Sequence, residues 1–331
     1  MDKKRWIALV IAAVLFVISI GFQLTTSIAT TDFSKLFNQG EKNFNEKIID
    51  NGKGTEKIAV LNLEGVIQGG SDSSLLTSNG YNHKRFLEML EEAGEDRGIN
   101  GIILQVNTPG GGVVESAEIH DKIKVIQEKY EKPVYVSMGN TAASGGYYVA
   151  APADKIVAHP ATLTGSIGVI MESMNYAELA DKLGIDFNTI KSGEFKDIMS
   201  SNREMTNDER DILQTMIDEL YDEFVQVIVD GRGLSDKEVR QLGDGRVYTG
   251  TQAKENGLVD DLGSMDDTIA MMKDDYDLKN ATVIEYENNS PISELIGGKV
   301  QNIFGSESDL VGMKELLRDS GAPRAMYLYS K

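Results

Sequence analysis

The sequence predicts an α/β fold with a parallel sheet, carried behind an N-terminal transmembrane helix. From residue 57 onward, short apolar runs alternate with stretches of helical periodicity, which is the pattern of βαβ units. Residues 6–31 contain no Asp, Glu, Lys, Arg or His, which is typical of a membrane segment. These two observations divide the chain into an anchor and a folded body.

The N-terminal apolar segment is long enough to cross a bilayer. Its apolar part, residues 6–24, is close to the ~20 residues that a helix needs to span the hydrocarbon core. Lys3, Lys4 and Arg5 precede it, and basic flanks stay on the cytoplasmic side. We therefore expect a single-pass cell-membrane protein whose body lies outside the cytoplasm. Two alternatives stay open: a signal peptide cleaved near residues 27–29, and a buried helix of a soluble protein.

The composition excludes several kinds of chemistry. The 331-residue chain has no cysteine, so thiolate nucleophiles, disulfides, iron–sulfur clusters and cysteine-bound zinc are excluded. The formal net charge is −19, and because residues 1–31 carry a net +2, the rest of the chain carries −21. Such an acidic body lacks the basic face of a nucleic-acid binder and stands off from an anionic membrane surface. We expect no metal and no cofactor.

The body is predicted to begin after a polar linker and to end in a loose tail. The expected divisions are a basic tip and anchor at 1–31, a juxtamembrane linker at 32–56, one α/β domain at 57–288 and a weakly structured tail at 289–331. Apolar runs predict strands at 58–63, 102–106, 134–137 and 155–158. Helical periodicity and capping boxes predict helices at 85–93 and 114–130, from Thr206 to Gly231 or Gly233, from Ser235 onward, and at 251–256.

The first candidate site is a glycine-rich loop between a strand and a helix. Residues 107–112 have the sequence Asn-Thr-Pro-Gly-Gly-Gly and link the strand ending at Val106 to the helix beginning at Val114. Bare backbone N–H groups at such a turn, next to a helix N-terminus, bind anions. A phosphate, the oxyanion of a reaction intermediate and a tight turn without a ligand all stay open, although the Gly-Lys-Ser/Thr ending of a nucleotide-binding loop is missing.

The second candidate site is Ser144, in the stretch Ala-Ala-Ser-Gly-Gly-Tyr-Tyr at 142–148. It also follows a predicted strand, and its small neighbours allow a substrate backbone to approach the hydroxyl. The N–H of Gly145 is where acyl-transfer serines commonly find an oxyanion donor. An ordinary helix N-cap is the alternative, and the Gly-x-Ser-x-Gly elbow is not matched because position 142 is Ala.

A nucleophilic serine needs a base, and the residues alone leave its identity open. His120 and His159 are candidates, as is Lys196, which follows a large apolar residue. A lysine base must be neutral, and burial of a lysine favours the neutral amine because desolvation disfavours the charged form. Taken alone, each histidine is better explained as an ordinary surface or half-buried residue, and Lys196 as a solvated lysine.

Four motifs in order give the chain a resemblance to a known family. They lie at 107–111, 143–148, 164–169 and 192–196, behind the predicted anchor. Together, over about residues 57–265, they resemble the signal peptide peptidase A family, membrane-anchored serine proteases of the Clp-protease/crotonase superfamily, in its short single-repeat bacterial form. The resemblance implies a Clp-protease/crotonase-like spiral of βαβ units, with the active site facing a concave chamber.

The resemblance also implies roles for individual residues. Ser144 would be the nucleophile and Lys196 the general base, which takes the serine proton and returns it to the leaving amine. The N–H groups of Gly111 and Gly145 would form the oxyanion hole. Ser166 would hydrogen-bond the neutral lysine amine and orient it, and the histidines would have no catalytic role.

Peptide substrates and a homo-oligomer follow from the same resemblance. The substrates would be remnant signal peptides left in the membrane after secretion and other unfolded peptides, bound in a groove for apolar or small side chains. A single repeat would need neighbouring copies, in a ring or dome, to complete each active site. The apolar face of the helix at 207–229 would suit such an interface, or an internal core contact.

Two alternative functions stay open. A crotonase-type acyl-CoA enzyme would use similar oxyanion donors, but it would want basic residues for the phosphates of the cofactor. A non-catalytic membrane scaffold would keep the fold without the chemistry.

The apolar tail at 325–330 is either a disordered end or a self-substrate that plugs a site.

Overall fold

A computed structural model describes residues 44–69, 81–287 and 325–329 of the chain. The predicted anchor, residues 1–31, lies outside the described residues. Within the three described ranges, no helix combines the length and the apolar character that a membrane span requires.

Strands and helices alternate along the described chain, as the sequence pattern predicts. The strands are β1 Asn45–Asp50, β2 Lys57–Glu64, β3 Ile99–Thr108, β4 Gly110–Gly112, β5 Val134–Ala143, β6 Lys155–Ala158, β7 Leu163–Gly165, β8 Val247–Thr249, β9 Asp261–Leu262, β10 Thr282–Glu287 and β11 Met326–Leu328. The helices are α1 His83–Glu95, α2 Val113–Tyr130, α3 Gly145–Ala150, α4 Ala177–Lys182, α5 Asn207–Arg232, α6 Asp236–Leu242, α7 Gly250–Glu255 and α8 Met265–Asp275.

A parallel sheet forms the centre of the compact unit to which the described residues 46–69, 81–286 and 325–329 belong. Its strands lie in the order β1-β10-β2-β3-β5-β6-β9, with β7 beside β5 and β8 beside β7. The strand pairs β10–β2, β2–β3, β3–β5, β5–β6 and β6–β9 are parallel, whereas β7 and β8 pair antiparallel. This large parallel sheet in a mixed α/β structure fits the Clp-protease/crotonase-like fold that the resemblance implies.

The central strands are buried on both faces of the sheet. Ile102, Ile103 and Leu104 are consecutive in β3 and therefore alternate between the two faces, yet all three are fully buried. On one face, Ile103 packs with Met272 of α8 and Ile58 of β2. A continuous apolar run is what a parallel strand covered on both sides requires, and this explains why these strands were predictable.

Two strands extend further than their apolar runs indicate. β3 continues through Thr108 and β5 through Ala143, and Thr108 pairs with Ala142 beyond an irregularity in the register. The added residues include polar ones, which the apolar pattern does not mark, because backbone pairing does not depend on an apolar side chain. These added residues place both candidate loops at the same end of the sheet, where β3 and β5 have their carboxyl ends.

The long helix α5 begins as predicted and ends one residue beyond Gly231. Thr206 and Glu209 form the expected capping box. Gly233, with a φ of 67°, caps the other end in the left-handed conformation. Gly231 stays inside the helix, where an added Cβ would lie 2.2 Å from the carbonyl oxygen of Ala151, so its role is close packing rather than termination.

Short strands lie in both segments that the sequence pattern predicts to be irregular. In the expected linker, residues 45–50 form β1. The expected tail is described at 325–329, where Met326–Leu328 form β11, paired antiparallel with β4. Three residues are too few to show a period, and the partner strand consists of glycine, so neither half of this pair carries a sequence signal for pairing.

Candidate active site

The two glycine-rich loops meet at the carboxyl ends of β3 and β5. The pairing of Thr108 with Ala142 brings the strand ends side by side. An added Cβ on Gly145 would lie 3.1 Å from the backbone nitrogen of Gly111. The two amides predicted as oxyanion donors are therefore neighbours, as in an oxyanion hole.

Ser144 lies in a strained turn between β5 and α3. Its φ of 55° and ψ of −118° are unusual for a residue with a side chain, and its N–H is held by the carbonyl oxygen of Gly165 at 2.8 Å. Among the described residues, its hydroxyl makes no helix-capping hydrogen bond, so the ordinary N-cap alternative is not supported. The residue is only 1% exposed. This strand–turn–helix geometry is that of a nucleophile elbow, although the usual flanking glycine is absent.

The glycine loop is held rigidly along one of its edges. Ile67 donates its N–H to the carbonyl oxygen of Gly110 at 2.8 Å and accepts the N–H of Gly112 at 2.7 Å. The hydroxyl of Thr108 accepts the N–H of Gly110 at 3.0 Å. Because successive residues of a strand direct their N–H and C=O groups to opposite edges, those of Gly111 face the other edge.

That other edge is occupied by β11 from the C-terminal tail. Tyr327 is the register partner of Gly111, and this antiparallel pairing directs the Gly111 N–H at the Tyr327 carbonyl oxygen. An added Cβ on Gly110 would lie 2.1 Å from that oxygen and 2.7 Å from the nitrogen of Gly145. An extended peptide thus presents a carbonyl group to the Gly111 amide, and the Gly145 nitrogen lies nearby.

The side chain of Tyr327 fills an aromatic pocket. Its ring stacks on Tyr148 of α3 at a centroid distance of 5.0 Å and contacts Phe224 of α5 at 4.7 Å. Its hydroxyl donates to the carbonyl oxygen of Leu220 at 3.0 Å. Burial raises the pKa of the Tyr327 phenol, so it stays a neutral donor. The pocket accepts a side chain as large as tyrosine, whereas the sequence predicts a preference for apolar or small ones.

A cavity of about 510 Å³ continues from Ser144 along the groove. Ser166 lies in the same cavity, with a φ of 50° and its N–H bound to the carbonyl oxygen of Arg246 at 2.8 Å. The structure therefore brings Ser144, Ser166 and the two glycine amides into one region, where the resemblance expects them. The other residues that line the cavity are Ile167, Gly168, Val169, Ile170, Ile217, Asp218, Tyr221, Gly243, Asp244, Gly245, Leu328 and Tyr329.

Lys196 is the predicted site residue that the structure does not bring to Ser144. It lies in residues 171–200, here called the lysine segment, where its side chain is exposed. It is absent from the described residues that line the cavity, and no described side chain forms a hydrogen bond or an ion pair with it. Taken alone, Lys196 is expected to be an ordinary solvated lysine, and its exposed side chain agrees with that expectation.

The histidines have other roles in the structure. His120 contacts Asp121 at 3.0 Å and packs its ring against Tyr148, while the Nδ1 atom of His159 accepts the N–H of Ala161 at 3.1 Å. Of the described residues that line the cavity beside Ser144, none is a histidine. Over the same described ranges, no group of three or more His, Asp or Glu side chains is placed to hold a metal ion.

Several residues of the site escaped the sequence analysis. Thr108 fixes the glycine loop, and the Ser116 hydroxyl donates to the carbonyl oxygen of Gly112 at 2.8 Å. Tyr148 and Phe224 form the aromatic pocket. Thr108 and Tyr148 lie inside the motifs at 107–111 and 143–148, so their position in the sequence could have marked them as site residues. Ser116 and Phe224 are ordinary helix residues without such a mark.

Comparisons with known proteins show the family of the chain. The sequence profile of peptidase family S49 matches residues 126–279. The chain is 39% identical to the "Putative signal peptide peptidase SppA" of Enterococcus faecium, over 99% of both chains. It is 37% identical to "Protease 4" of Haemophilus influenzae over 64% of this chain and 34% of that protein, and 28% identical to "Serine protease SPPA, chloroplastic" of Arabidopsis thaliana over 80% and 39%. The chain therefore belongs to peptidase family S49, as an SppA-type serine peptidase.

Proposed function

We propose that the protein is a membrane-anchored, extracytoplasmic endopeptidase that hydrolyses remnant signal peptides with Ser144 as nucleophile and Lys196 as general base. The observation that carries the proposal is β11, an extended segment whose Tyr327 carbonyl oxygen is directed at the Gly111 amide, with the Gly145 nitrogen nearby. A peptide bound in this way would have its scissile carbonyl group at the donors that stabilise the oxyanion.

The reaction follows from this placement. The Ser144 hydroxyl attacks the carbonyl carbon, and its proton passes to a neutral lysine amine. Negative charge develops on the carbonyl oxygen, where the two N–H groups stabilise it. The lysine then protonates the leaving amine as the peptide bond breaks, which leaves an ester on Ser144. Water hydrolyses that ester with the lysine again as base, and Ser166 orients the amine.

The exposed lysine implies that each site is completed by a neighbouring copy. The lysine segment exposes many large apolar side chains, and patches of this kind mark interaction sites on soluble bodies. Packing of this segment against a second copy would bury them and would move Lys196 next to the partner's cavity. The exposed members are Met174, Tyr176, Leu179, Leu183, Ile185, Phe187, Ile190 and Phe195.

The N-terminal half of helix α5 offers a second apolar surface to the same assembly. Phe224, Val225 and Ile228 are buried within the chain, which agrees with the internal contact that the sequence allows. Ile212 and Met216, two turns or more nearer the N-terminus, are exposed. The apolar face predicted for this helix is thus shared between the core of one chain and a surface available to another.

Remnant signal peptides suit the groove because they are extended and apolar when unfolded. The aromatic pocket that holds Tyr327 is lined by Tyr148 and Phe224, so it favours large apolar or aromatic side chains. An acyl-CoA substrate is disfavoured, since Asp218 and Asp244 line the cavity and would repel its phosphates. A scaffold without activity would have no need of the strained backbone at Ser144.

Peptide cleavage by the full-length protein in detergent tests the proposal. We expect Ser144→Ala and Lys196→Ala each to lose at least ~10³-fold in kcat/KM on a fluorogenic apolar peptide, because both groups act in the bond-breaking step. Lys182→Ala is the matched control, since Lys182 is exposed in the same segment and pairs only with Glu178 in the described structure. Activity in Lys196→Ala equal to that of the control would refute the lysine base.

A further inference from the structure

Lys196 directly precedes Asp197, which belongs to a chain of four charged side chains joined by hydrogen bonds. Asp197 accepts hydrogen bonds from Lys191 Nζ at 2.6 Å and from Arg203, through Nη2 at 2.7 Å and Nε at 2.9 Å. Arg203 also donates to Glu209, through Nη1 at 2.8 Å and through Nη2. The guanidinium thus binds one carboxylate on each side, in the bidentate geometry that distinguishes arginine from lysine.

One end of this network is anchored in the first turn of α5. Glu209 is 2% exposed and accepts the Thr206 N–H at 2.9 Å as part of the capping box. Hydrogen bonds from Arg203, together with this backbone contact, lower the pKa of Glu209 to about 2. A buried carboxylate requires such partners, so the network belongs to the helix start and is not an incidental surface pair.

The other end holds the backbone on both sides of Lys196. Lys191 Nζ donates to the carbonyl oxygen of Glu194 at 2.7 Å, two residues before it. Arg203 Nη2 donates to the carbonyl oxygen of Asp197 at 3.0 Å, one residue after it. The main chain that carries the lysine is therefore fixed, although the lysine side chain itself is free to extend.

The charges of the network also matter to a lysine that must be neutral. Among the described residues, Lys191 and Arg203 are the charged side chains that contact Asp197, and Glu209 faces it across the guanidinium. Hydrogen bonds from Arg203 and then Lys191 hold the pKa of Asp197 well below its usual range. Left without these cations, the carboxylate would be the nearest counter-ion in sequence to the Lys196 ammonium and would stabilise it.

We propose that Arg203 is a positioning residue for the base Lys196, acting through Asp197. Arg203 holds the lysine segment onto the start of α5 and, with Lys191, occupies the carboxylate that would otherwise pair with the Lys196 ammonium. This inference rests on the proposed function, because it presumes that Lys196 is the base.

The pH dependence of kcat/KM for the full-length protein in detergent tests this role. In Arg203→Met we expect the acidic limb of the profile to move about half a unit to one unit toward higher pH, since a freed Asp197 favours the protonated lysine. Arg203→Lys should restore part of the shift. In Arg203→Met/Asp197→Asn the acidic limb should return toward the wild-type position. The competing carboxylate is then absent, although Arg203 still no longer holds the lysine segment on the start of α5.

A second variant guards against a failure of Arg203→Met to fold, since that change leaves buried Glu209 without its cation. Lys191→Met removes one contact of Asp197 and leaves Glu209 paired with Arg203. We expect a smaller shift of the limb in the same direction. An unshifted limb in both single variants, with activity lowered equally at every pH, would overturn the inference and leave Arg203 a purely structural role.

The failure of this inference can be told apart from the failure of the proposed function. If Lys196→Ala retains activity, the dyad itself is wrong, whatever Arg203 does. If Lys196→Ala is inactive and neither Arg203→Met nor Lys191→Met moves the limb, the dyad stands and only the role of Arg203 falls.

Discussion

The nucleophile and the proposed base lie in regions of opposite character. Ser144 is buried at the end of a central strand, and the glycine loop beside it is hydrogen-bonded on both edges. Lys196 lies in the lysine segment, which exposes its large apolar side chains and has one short helix, α4. One half of the site is complete within a single chain, and the other half has the surface of an unfilled interface. The comparison indicates that assembly, not folding alone, would bring the dyad together.

The largest difference between the two regions should appear when the same substitution is made in both. Gly110→Ala places a Cβ 2.1 Å from the Tyr327 carbonyl oxygen and 2.7 Å from the Gly145 nitrogen, at a φ of 101° that disfavours alanine. We expect kcat/KM to fall by about 100-fold or more, because the oxyanion donors are displaced. Gly193→Ala, in the lysine segment, meets no atom within 4 Å, and we expect about a twofold change or less.

The result that would break the contrast is a similar loss in both variants. Peptide kinetics measure the effect, and a thermal melt of each protein checks that Gly110→Ala still folds. Equal losses would mean that Gly193 is packed as tightly as Gly110 in the active protein, so that its open surroundings in the single chain do not persist there.

A smaller effect is expected from removing the C-terminal tail, whose strand β11 occupies the groove along the glycine loop. Deletion of residues 325–331 should lower KM for peptide substrates by about 3–10-fold with little change in kcat, because a tethered strand competes for the groove. Tyr327→Ala, which empties the aromatic pocket, should act in the same direction. An unchanged KM in both variants would show that β11 does not compete with substrate.

The tail also provides a cleavage test of the buried half. Because the Tyr327 carbonyl group pairs with the Gly111 amide close to the Gly145 nitrogen, we expect the wild-type protein to lose the residues after Tyr327 slowly. Mass spectrometry should find the intact C-terminus in Ser144→Ala. Identical C-termini in the two proteins would limit the tail to an occupant of the groove that is not a substrate.

The smallest effect concerns stability at the junction of the two regions. Since the pKa of Glu209 is lowered to about 2, its ionised form stabilises the folded state above its unfolded pKa of ~4.3 and progressively less as the pH falls toward 2. Glu209→Gln should therefore melt at a lower temperature than wild type at pH 7, and the gap should narrow below pH ~4.5. A gap that stays constant from pH 7 to pH 3 would assign the loss to packing.

The same contrast explains what the sequence could predict. Ser144, Gly145 and Gly111 were predictable because each lies in a distinctive motif at a strand end, and a parallel sheet aligns such ends. The strand Met326–Leu328 was not, since three residues carry no period and its partner is a glycine loop. The exposure of Lys196 agrees with the solvated lysine that its local sequence favours, whereas the proposed contact with a neighbouring copy depends on a second chain that no local pattern describes.

Complementation between two inactive variants tests the central claim most directly. Ser144→Ala and Lys196→Ala chains carrying different affinity tags are co-expressed, and complexes containing both are purified on the two tags in succession. If each site takes its serine from one copy and its lysine from a neighbour, mixed complexes should recover about a quarter of the wild-type activity per chain. Mixed complexes that stay as inactive as either variant alone would place both residues of the dyad within one chain and contradict the account.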